Sequence, residues 1–182
     1  MSLVTYKGLK RLLDSGAMRN FDPDNINGAS IDVRLGEGFL IENAPTRNHT
    51  CDLANKVGPE MIERPIQECG GVILPPGGVV LAHTMEFFDL PDNIAIEFKL
   101  KSSIARGFLG HMLAGWGDPG WHGSQLTLEL KNELRHHNHL LRPGMKIGQV
   151  VFWEGEPVPA SASYSARGRY NNTEGAVMGK GV

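Results

Sequence analysis

Short runs in which hydrophobic and polar residues alternate recur along most of the chain from residue 30 onward. In residues 125–131, leucines occupy every second position, so they share one face of a strand while Thr127 and Glu129 share the other. Glycine, proline and asparagine separate these runs and are typical of turns. The pattern predicts strands over residues 30–35, 38–42, 71–74, 79–84, 93–100, 126–131 and 146–153. Many short strands at this spacing predict a mainly β domain, either a sandwich or a barrel.

Two segments depart from the strand pattern. Residues 5–16 place three leucines on one face and end in glycine, which predicts a short amphipathic helix. Residues 161–182 lose the alternation and are rich in small and polar residues around Tyr164 and Tyr170. We predict one domain over residues 1–182, with residues 161–182 as a mobile C-terminal tail. Such a tail can close over a bound anion, and it can also be a disordered terminus.

Composition narrows the classes of function. The chain has 182 residues, 41% of them hydrophobic, and a formal net charge of -2, so it lacks the basic character that nucleic-acid binding needs. It shows no apolar run of membrane-spanning length and no secretory pattern, so we expect no membrane partner and a cytoplasmic location. Cys51 and Cys69 are the two cysteines, and neither has the spacing of a zinc site.

Residues 101–106 combine hydroxyl groups and positive charge directly after a predicted strand. Ser102 and Ser103 can cap a short helix there, and Lys101 and Arg106 add formal charge. Free N–H groups at a helix start favour anions, so the segment can hold a polyphosphate. An ordinary helix cap flanked by surface charges explains the same residues, and both interpretations remain open at this point.

Two acidic residues follow in the same part of the chain. Glu129 lies in the middle of a predicted strand, where it belongs either to a solvated face or to a polar cleft. Asp118 begins a turn in which Pro119 fixes one backbone angle and Gly120 can adopt a positive φ. Periodicity by itself does not choose between these two environments for Glu129.

Four blocks of sequence then occur in a characteristic order. They are residues 27–36 (NGASIDVRLG), 101–106 (KSSIAR), 111–132, which contain DPG and LEL, and 142–149 (RPGMKIGQ) followed by Arg169, Tyr170 and Gly175. Together they resemble the dCTP deaminase family, a branch of the trimeric dUTPase superfamily. The resemblance implies a distorted, jelly-roll-like β-barrel with a short N-terminal helix, a homotrimer with active sites between subunits, and a nucleotide triphosphate that carries Mg²⁺.

The resemblance also implies a deamination that uses no zinc. Zinc-dependent nucleobase deaminases carry HxE and PCxxC signatures, and neither is present in this sequence. In the family Glu129 would accept a proton from the attacking water and pass it to the pyrimidine as ammonia leaves C4. Ser102 would help to hold the water and the phosphates. Arg106 would orient the carboxylate and stabilise negative charge as it develops.

Further residues are implied to bind the nucleotide. They are Lys101, Ser103, His111, Ala114, Asp118, Tyr164, Arg169 and Thr173. The triphosphate would supply most of the Mg²⁺ ligands, so no direct protein ligand is expected. The sequence departs from the family at Lys101 (usually Arg), Leu113 (usually Thr), Gly117 (usually branched and apolar) and Thr173 (near a usual Gln). These departures affect nucleotide affinity, inhibition by dTTP and base choice.

Four functions are therefore compared. We favour hydrolytic deamination of dCTP to dUTP and ammonia. The alternative is a bifunctional enzyme that also hydrolyses dUTP to dUMP and pyrophosphate, because Ala114, Gly115 and Trp116 resemble the bifunctional members. A plain dUTPase and a non-catalytic nucleotide-sensing trimer are the other two. The combination of Glu129, Ser102 and Arg106 argues against both, since neither needs deamination chemistry.

Overall fold

The computed structural model describes residues 1–44 and 49–181, and the regular secondary structure of these residues is mainly β-strand. The strands are β1 (Ser2–Leu3), β2 (Met18–Arg19), β3 (Ile31–Arg34), β4 (Leu40–Glu42), β5 (Met61–Glu63), β6 (Val72–Leu74), β7 (Val79–Phe88), β8 (Ile94–Leu100), β9 (Leu109–His111), β10 (Trp116–Gly117), β11 (Ser124–Asn132), β12 (His139–Leu141) and β13 (Lys146–Glu154). The helices are α1 (Tyr6–Asp14), α2 (Ser102–Arg106) and α3 (Tyr164–Arg167), with a 3-10 turn at Pro23–Asn25. The predicted mainly β fold is confirmed.

Two antiparallel sheets build the domain. In the first sheet the strand order is β1-β13-β8-β10, with β3 also pairing with β13; in the second it is β5-β4-β7-β11-β9, with β2 on β7. Strands β6 and β12 form a separate pair. Buried side chains from both sheets, such as Ile96 and Phe152 from the first and Leu128 and Leu130 from the second, belong to one hydrophobic core. No helix in the described residues is long and apolar enough to cross a membrane.

Strand β11 follows the predicted alternation. Leu126, Leu128 and Leu130 are buried, whereas Thr127 and Glu129 on the opposite face are half-buried. The strand lies between β7 and β9, and a register shift interrupts its pairing with β7 between Gln125 and Thr127. A central strand between two neighbours is held by backbone hydrogen bonds on both edges, so its side chains have well-defined directions. Glu129 therefore projects from a rigid part of the fold.

A buried ion pair joins the two sheets. Glu86 on β7 is fully buried, and its carboxylate accepts hydrogen bonds from the backbone N–H of Arg34 at 2.9 Å and from Arg34 Nε at 2.7 Å. Burial raises the pKa of the Glu86 carboxyl above its ordinary value, and the contacts with Arg34 partly oppose that rise. Arg34 belongs to β3, so this pair ties the first sheet to the second.

The C-terminal tail packs against β11 of its own chain. Trp121 Nε1 and Ser124 Oγ both donate to the Tyr170 carbonyl, at 2.9 and 2.8 Å. Further along, the Gln125 N–H donates to the Thr173 carbonyl at 3.0 Å, and the Val177 N–H donates to Thr127 Oγ1 at 3.2 Å. These contacts place the tail over the polar face of the strand. They describe a docked position, and the mobility of residues 161–182 stays a prediction.

Candidate active site

A cavity of about 540 Å³ opens on the polar face of β11, beneath the tail. Five of the residues predicted as site residues line it: Ala114, Asp118, Glu129, Tyr164 and Thr173. Several other lining residues were not predicted as site residues, among them Trp121, Gln125, Thr127, Tyr170 and Val177. A signal for Gln125 and Thr127 was available, because they share the strand face of Glu129. The contacts of the tail could not be predicted from the sequence. They join side chains to backbone groups, and every residue type offers the same backbone groups.

Glu129 faces the cavity and is backed by a buried histidine. Its Oε2 lies 3.3 Å from Nε2 of His111, whose side chain is 4% exposed. The Leu113 N–H donates to His111 Nδ1 at 3.2 Å, so Nδ1 is the acceptor and a neutral ring carries its proton on Nε2. Neither Glu129 Oε2 nor His111 Nε2 has a well-directed hydrogen bond among the described residues, although both atoms are buried. Because the Glu129 side chain also lines the cavity, its carboxyl group can exchange a proton with a water or ligand bound there.

Asp118 lies at the mouth of the cavity on a tight turn. The Trp121 N–H donates to the Asp118 carbonyl at 3.1 Å, and Gly120 adopts a φ of +85°, which is typical of a type II turn. Trp116 Nε1 donates to Asp118 Oδ1 at 2.9 Å. Burial raises the pKa of the Tyr164 phenol above its ordinary value, and the nearby charge of Asp118 adds to that rise. The cavity mouth thus combines a carboxylate with two aromatic side chains.

The residues of α2 lie outside this cavity. Ser102, Ser103 and Arg106 are exposed and do not line it. The expected serine cap is wrong, because Lys101 occupies the N-cap position and no side chain caps the helix. The helix contains 5 residues, so its dipole offers little for an anion and the formal charges matter more. Arg169 of the tail is also exposed and outside the cavity lining.

Lys101 already has a partner in the same chain. Its Nζ lies 2.7 Å from Oδ2 of Asp32, which is 5% exposed and also accepts from Asn27 Nδ2 at 2.9 Å. Lys146 lies 3.9 Å from the same oxygen. Lys101 was predicted to bind phosphate, and this ion pair was not predicted from the sequence. Any phosphate contact of Lys101 must compete with Asp32.

Two departures from the family act mainly on packing. Gly117 lines the cavity, and a Cβ there would lie 2.6 Å from Ile96 Cγ1 and 3.1 Å from the Trp121 ring, so a branched side chain would require the core to shift. Thr173 Oγ1 donates to the Tyr170 carbonyl at 3.2 Å, so this hydroxyl holds the tail in its docked position.

Within the described residues, no three histidine, cysteine, aspartate or glutamate side chains come together in a way that could hold a metal ion. An ion at this cavity would have to obtain most of its ligands from a bound molecule and from water. Asp118 lines the cavity and is exposed, so its carboxylate could contribute an oxygen atom.

The fold thus combines two antiparallel sheets with a cavity that contains a carboxyl group and lies beneath the C-terminal tail. The family described as dCTP deaminase-like matches residues 4–155, and the chain belongs to this family. The predicted family and the prediction of an enzyme are confirmed by this match.

Curated relatives and a solved structure agree with the family assignment. The chain is 34% identical to the dCTP deaminase, dUMP-forming, of Corynebacterium efficiens, over 98% of this chain and 94% of the relative. A protein with the same name from a Nocardioides species is 38% identical over 85% of this chain and 83% of the relative. The fold resembles the 2'-deoxycytidine 5'-triphosphate deaminase of Agrobacterium tumefaciens with a TM-score of 0.62, at 19% identity, over 84% of this chain. The chain spans about half (48%) of that protein's length, and at this identity the likeness concerns the fold alone.

Proposed function

We propose that this protein converts dCTP to dUMP by deaminating the cytosine and then hydrolysing the triphosphate. The observation that carries the deamination is the position of the Glu129 carboxyl group, which lines the cavity while its Oε2 is buried 3.3 Å from His111 Nε2. The curated relatives are named dUMP-forming, which favours the bifunctional alternative over release of dUTP as the end product. Asp118 at the cavity mouth supplies a second carboxylate for the second reaction.

In the proposed deamination Glu129 relays both protons of the attacking water. As water attacks C4 of the cytosine, Glu129 accepts the first proton and passes it to N3 of the ring. The second proton moves from the new C4 hydroxyl to the amino group, so that C4 becomes a carbonyl and the C4–N bond breaks as ammonia leaves. The balance is dCTP and water to dUTP and ammonia. The His111 ring packs behind the carboxyl group, with Nε2 3.3 Å from Oε2, and this contact limits the directions that the Glu129 side chain can take.

We propose that Ser102 and Arg106 reach this cavity from another copy of the chain in a homotrimer. Both residues are exposed and outside the cavity of their own subunit. Two large apolar side chains that follow α2 in sequence are also exposed: Phe108 at 61%, with a φ of 62°, and Leu113 at 91%, with a φ of 63°. Such backbone conformations cost about 1–3 kcal/mol and persist where surrounding structure compensates them. A partner subunit that covers this surface would supply that compensation and bury the apolar area.

A mixture of two inactive variants tests this shared site. We expect Arg106→Ala and Glu129→Gln each to lose ammonia release when alone. After subunit exchange of equal amounts, about a quarter of the sites should combine an intact Arg106 with an intact Glu129, so activity should return in part. No recovery from a demonstrably mixed oligomer would contradict a site built between copies.

In the proposed complex the triphosphate would lie close to the C-terminal tail and to the positively charged side chains of Lys101 and Arg169. We propose that Lys101, Ser103, Tyr164 and Arg169 contact it, and Mg²⁺ bound with the nucleotide would neutralise part of its charge. Ala114 and Thr173 line the cavity and would contact the nucleotide bound in it. We propose that dTTP enters the same cavity as an inhibitor.

The stoichiometry of products tests the function directly. Incubation with dCTP and Mg²⁺ is expected to release ammonia and pyrophosphate in equal amounts, with dUMP as the nucleotide product. Chromatography of nucleotides, together with assays for ammonia and pyrophosphate, measures all three. Ammonia with accumulating dUTP and no pyrophosphate would support the monofunctional deaminase instead. Pyrophosphate from dUTP without ammonia from dCTP would support a plain dUTPase, and tight binding with neither product would support a sensor.

A further inference from the structure

The indole of Trp116 holds the carboxylate of Asp118 at the cavity mouth. The hydrogen bond from Trp116 Nε1 to Asp118 Oδ1 measures 2.9 Å. Among the described residues, no other group donates a hydrogen bond to this carboxylate. The backbone of Asp118 is fixed independently, because its carbonyl accepts from the Trp121 N–H and the next carbonyl, of Pro119, accepts from the Tyr164 N–H. The direction of the carboxylate about its side-chain torsions therefore depends on the indole.

Two glycines fix the direction of the indole. A Cβ on Gly115 would lie 2.9 Å from Phe98 Cβ, and one on Gly117 would lie 2.6 Å from Ile96 Cγ1, so both positions press onto β8. Residues 115 and 117 share one face of this extended segment, and the residue between them faces the opposite way. Trp116 accordingly points away from the core and lines the cavity, where it is 50% exposed.

We propose that Trp116 is a positioning residue for the pyrophosphate-releasing step. The inference rests on the proposed function, since it requires that dUTP is hydrolysed in this cavity. In that step Asp118 accepts a proton from water, a bond forms between the water oxygen and the α-phosphorus, and the bond to the bridging oxygen breaks as pyrophosphate leaves. The indole N–H orients Asp118 toward that water. Glu129 is held by β11 and backed by His111, so the deamination does not depend on Trp116.

Trp116→Phe tests the proposal, because it keeps an aromatic ring in the cavity wall and removes the N–H group. We expect kcat for pyrophosphate release from dUTP to fall roughly ten- to hundredfold, the effect of losing a hydrogen bond to a charged group. KM for dUTP and ammonia release from dCTP should change little, so dUTP should accumulate from dCTP. Trp153→Phe is the matched control. Its Nε1 has no partner among the described residues and it does not line the cavity, so both reactions should be unaffected.

A double-mutant cycle separates positioning from a general structural effect. If Trp116 acts through Asp118, adding Trp116→Phe to Asp118→Asn should cause no further loss of pyrophosphate release. Equal fold-losses in both backgrounds, or an equal loss of ammonia release, would overturn the proposal. Unchanged pyrophosphate release by Trp116→Phe would overturn it while leaving the proposed function intact. Absence of pyrophosphate from the unaltered enzyme would overturn the bifunctional assignment and this inference together.

Discussion

Glu129→Gln is expected to lower ammonia release from dCTP by at least about 10²- to 10⁴-fold, the usual contribution of a general acid–base residue. The amide has nearly the same shape as the carboxyl group, so the cavity and its nucleotide contacts should persist. It cannot accept the proton of the attacking water, and that step is therefore lost. Initial rates of ammonia release measure the effect, and calorimetric titration with dCTP should show that binding is retained.

A nearby glutamate provides the control for this experiment. Glu133 follows β11, is 49% exposed and pairs with Lys131 at 3.1 Å, so Glu133→Gln should leave ammonia release unchanged. Both variants remove one negative charge from the same region of the chain, which separates proton transfer from a general change in potential. If Glu129→Gln released ammonia at the full rate, the proton would have to move through another group.

The direction of Glu129 could be predicted from sequence, whereas its surroundings could not. Alternation of leucines fixes the face of a strand, and that is why β11 was found with nearly correct bounds. His111 is 18 residues away in sequence and reaches Glu129 because Leu130 pairs with His111 in the β9–β11 register. Strands of two or three residues such as β9 and β10 are too short to show a period. Their pairing depends on long-range contacts that a local pattern does not contain.

The partners of the charged residues in the site could not be predicted from the sequence either. A positive charge at Lys101 suggested a phosphate contact, but the ion pair with Asp32 arises only when β3 is brought beside the start of α2. Residue type thus predicts what a side chain can bind, and the tertiary structure decides which partner it has. The hydrogen bond between Trp116 and Asp118 is a partial exception, because the two residues are close in sequence and are flanked by recognisable turn residues.

Arg34→Ala is expected to lower the free energy of unfolding by about 3–5 kcal/mol, the usual cost of removing one partner from a buried ion pair. Glu86 is fully buried, and Arg34 provides two of its hydrogen bonds through the backbone N–H and Nε. The backbone donor remains in the variant, but the positive charge is gone. Chemical denaturation at neutral pH measures the loss.

The loss should shrink as the pH is lowered. Burial already raises the pKa of Glu86, and without Arg34 the pKa should rise further because an opposing contact is removed. A carboxyl group with a raised folded-state pKa binds its proton more tightly in the folded chain than in the unfolded chain. Its contribution to stability is therefore greatest below the unfolded pKa and is lost as the pH rises through the folded pKa. Arg34→Ala should accordingly approach the unaltered protein in stability at acidic pH.

Two control variants distinguish the buried charge from loss of the arginine side chain as such. Arg19→Ala removes the partner of Asp89 in an exposed pair whose side chains are 56% and 31% accessible, so its effect on stability should be much smaller. In the Arg34→Ala background, adding Glu86→Gln should restore part of the lost stability at neutral pH, because no unpaired charge is then buried. If the second substitution lowered stability further, packing of the Arg34 side chain would explain the effect, and the ion pair would not.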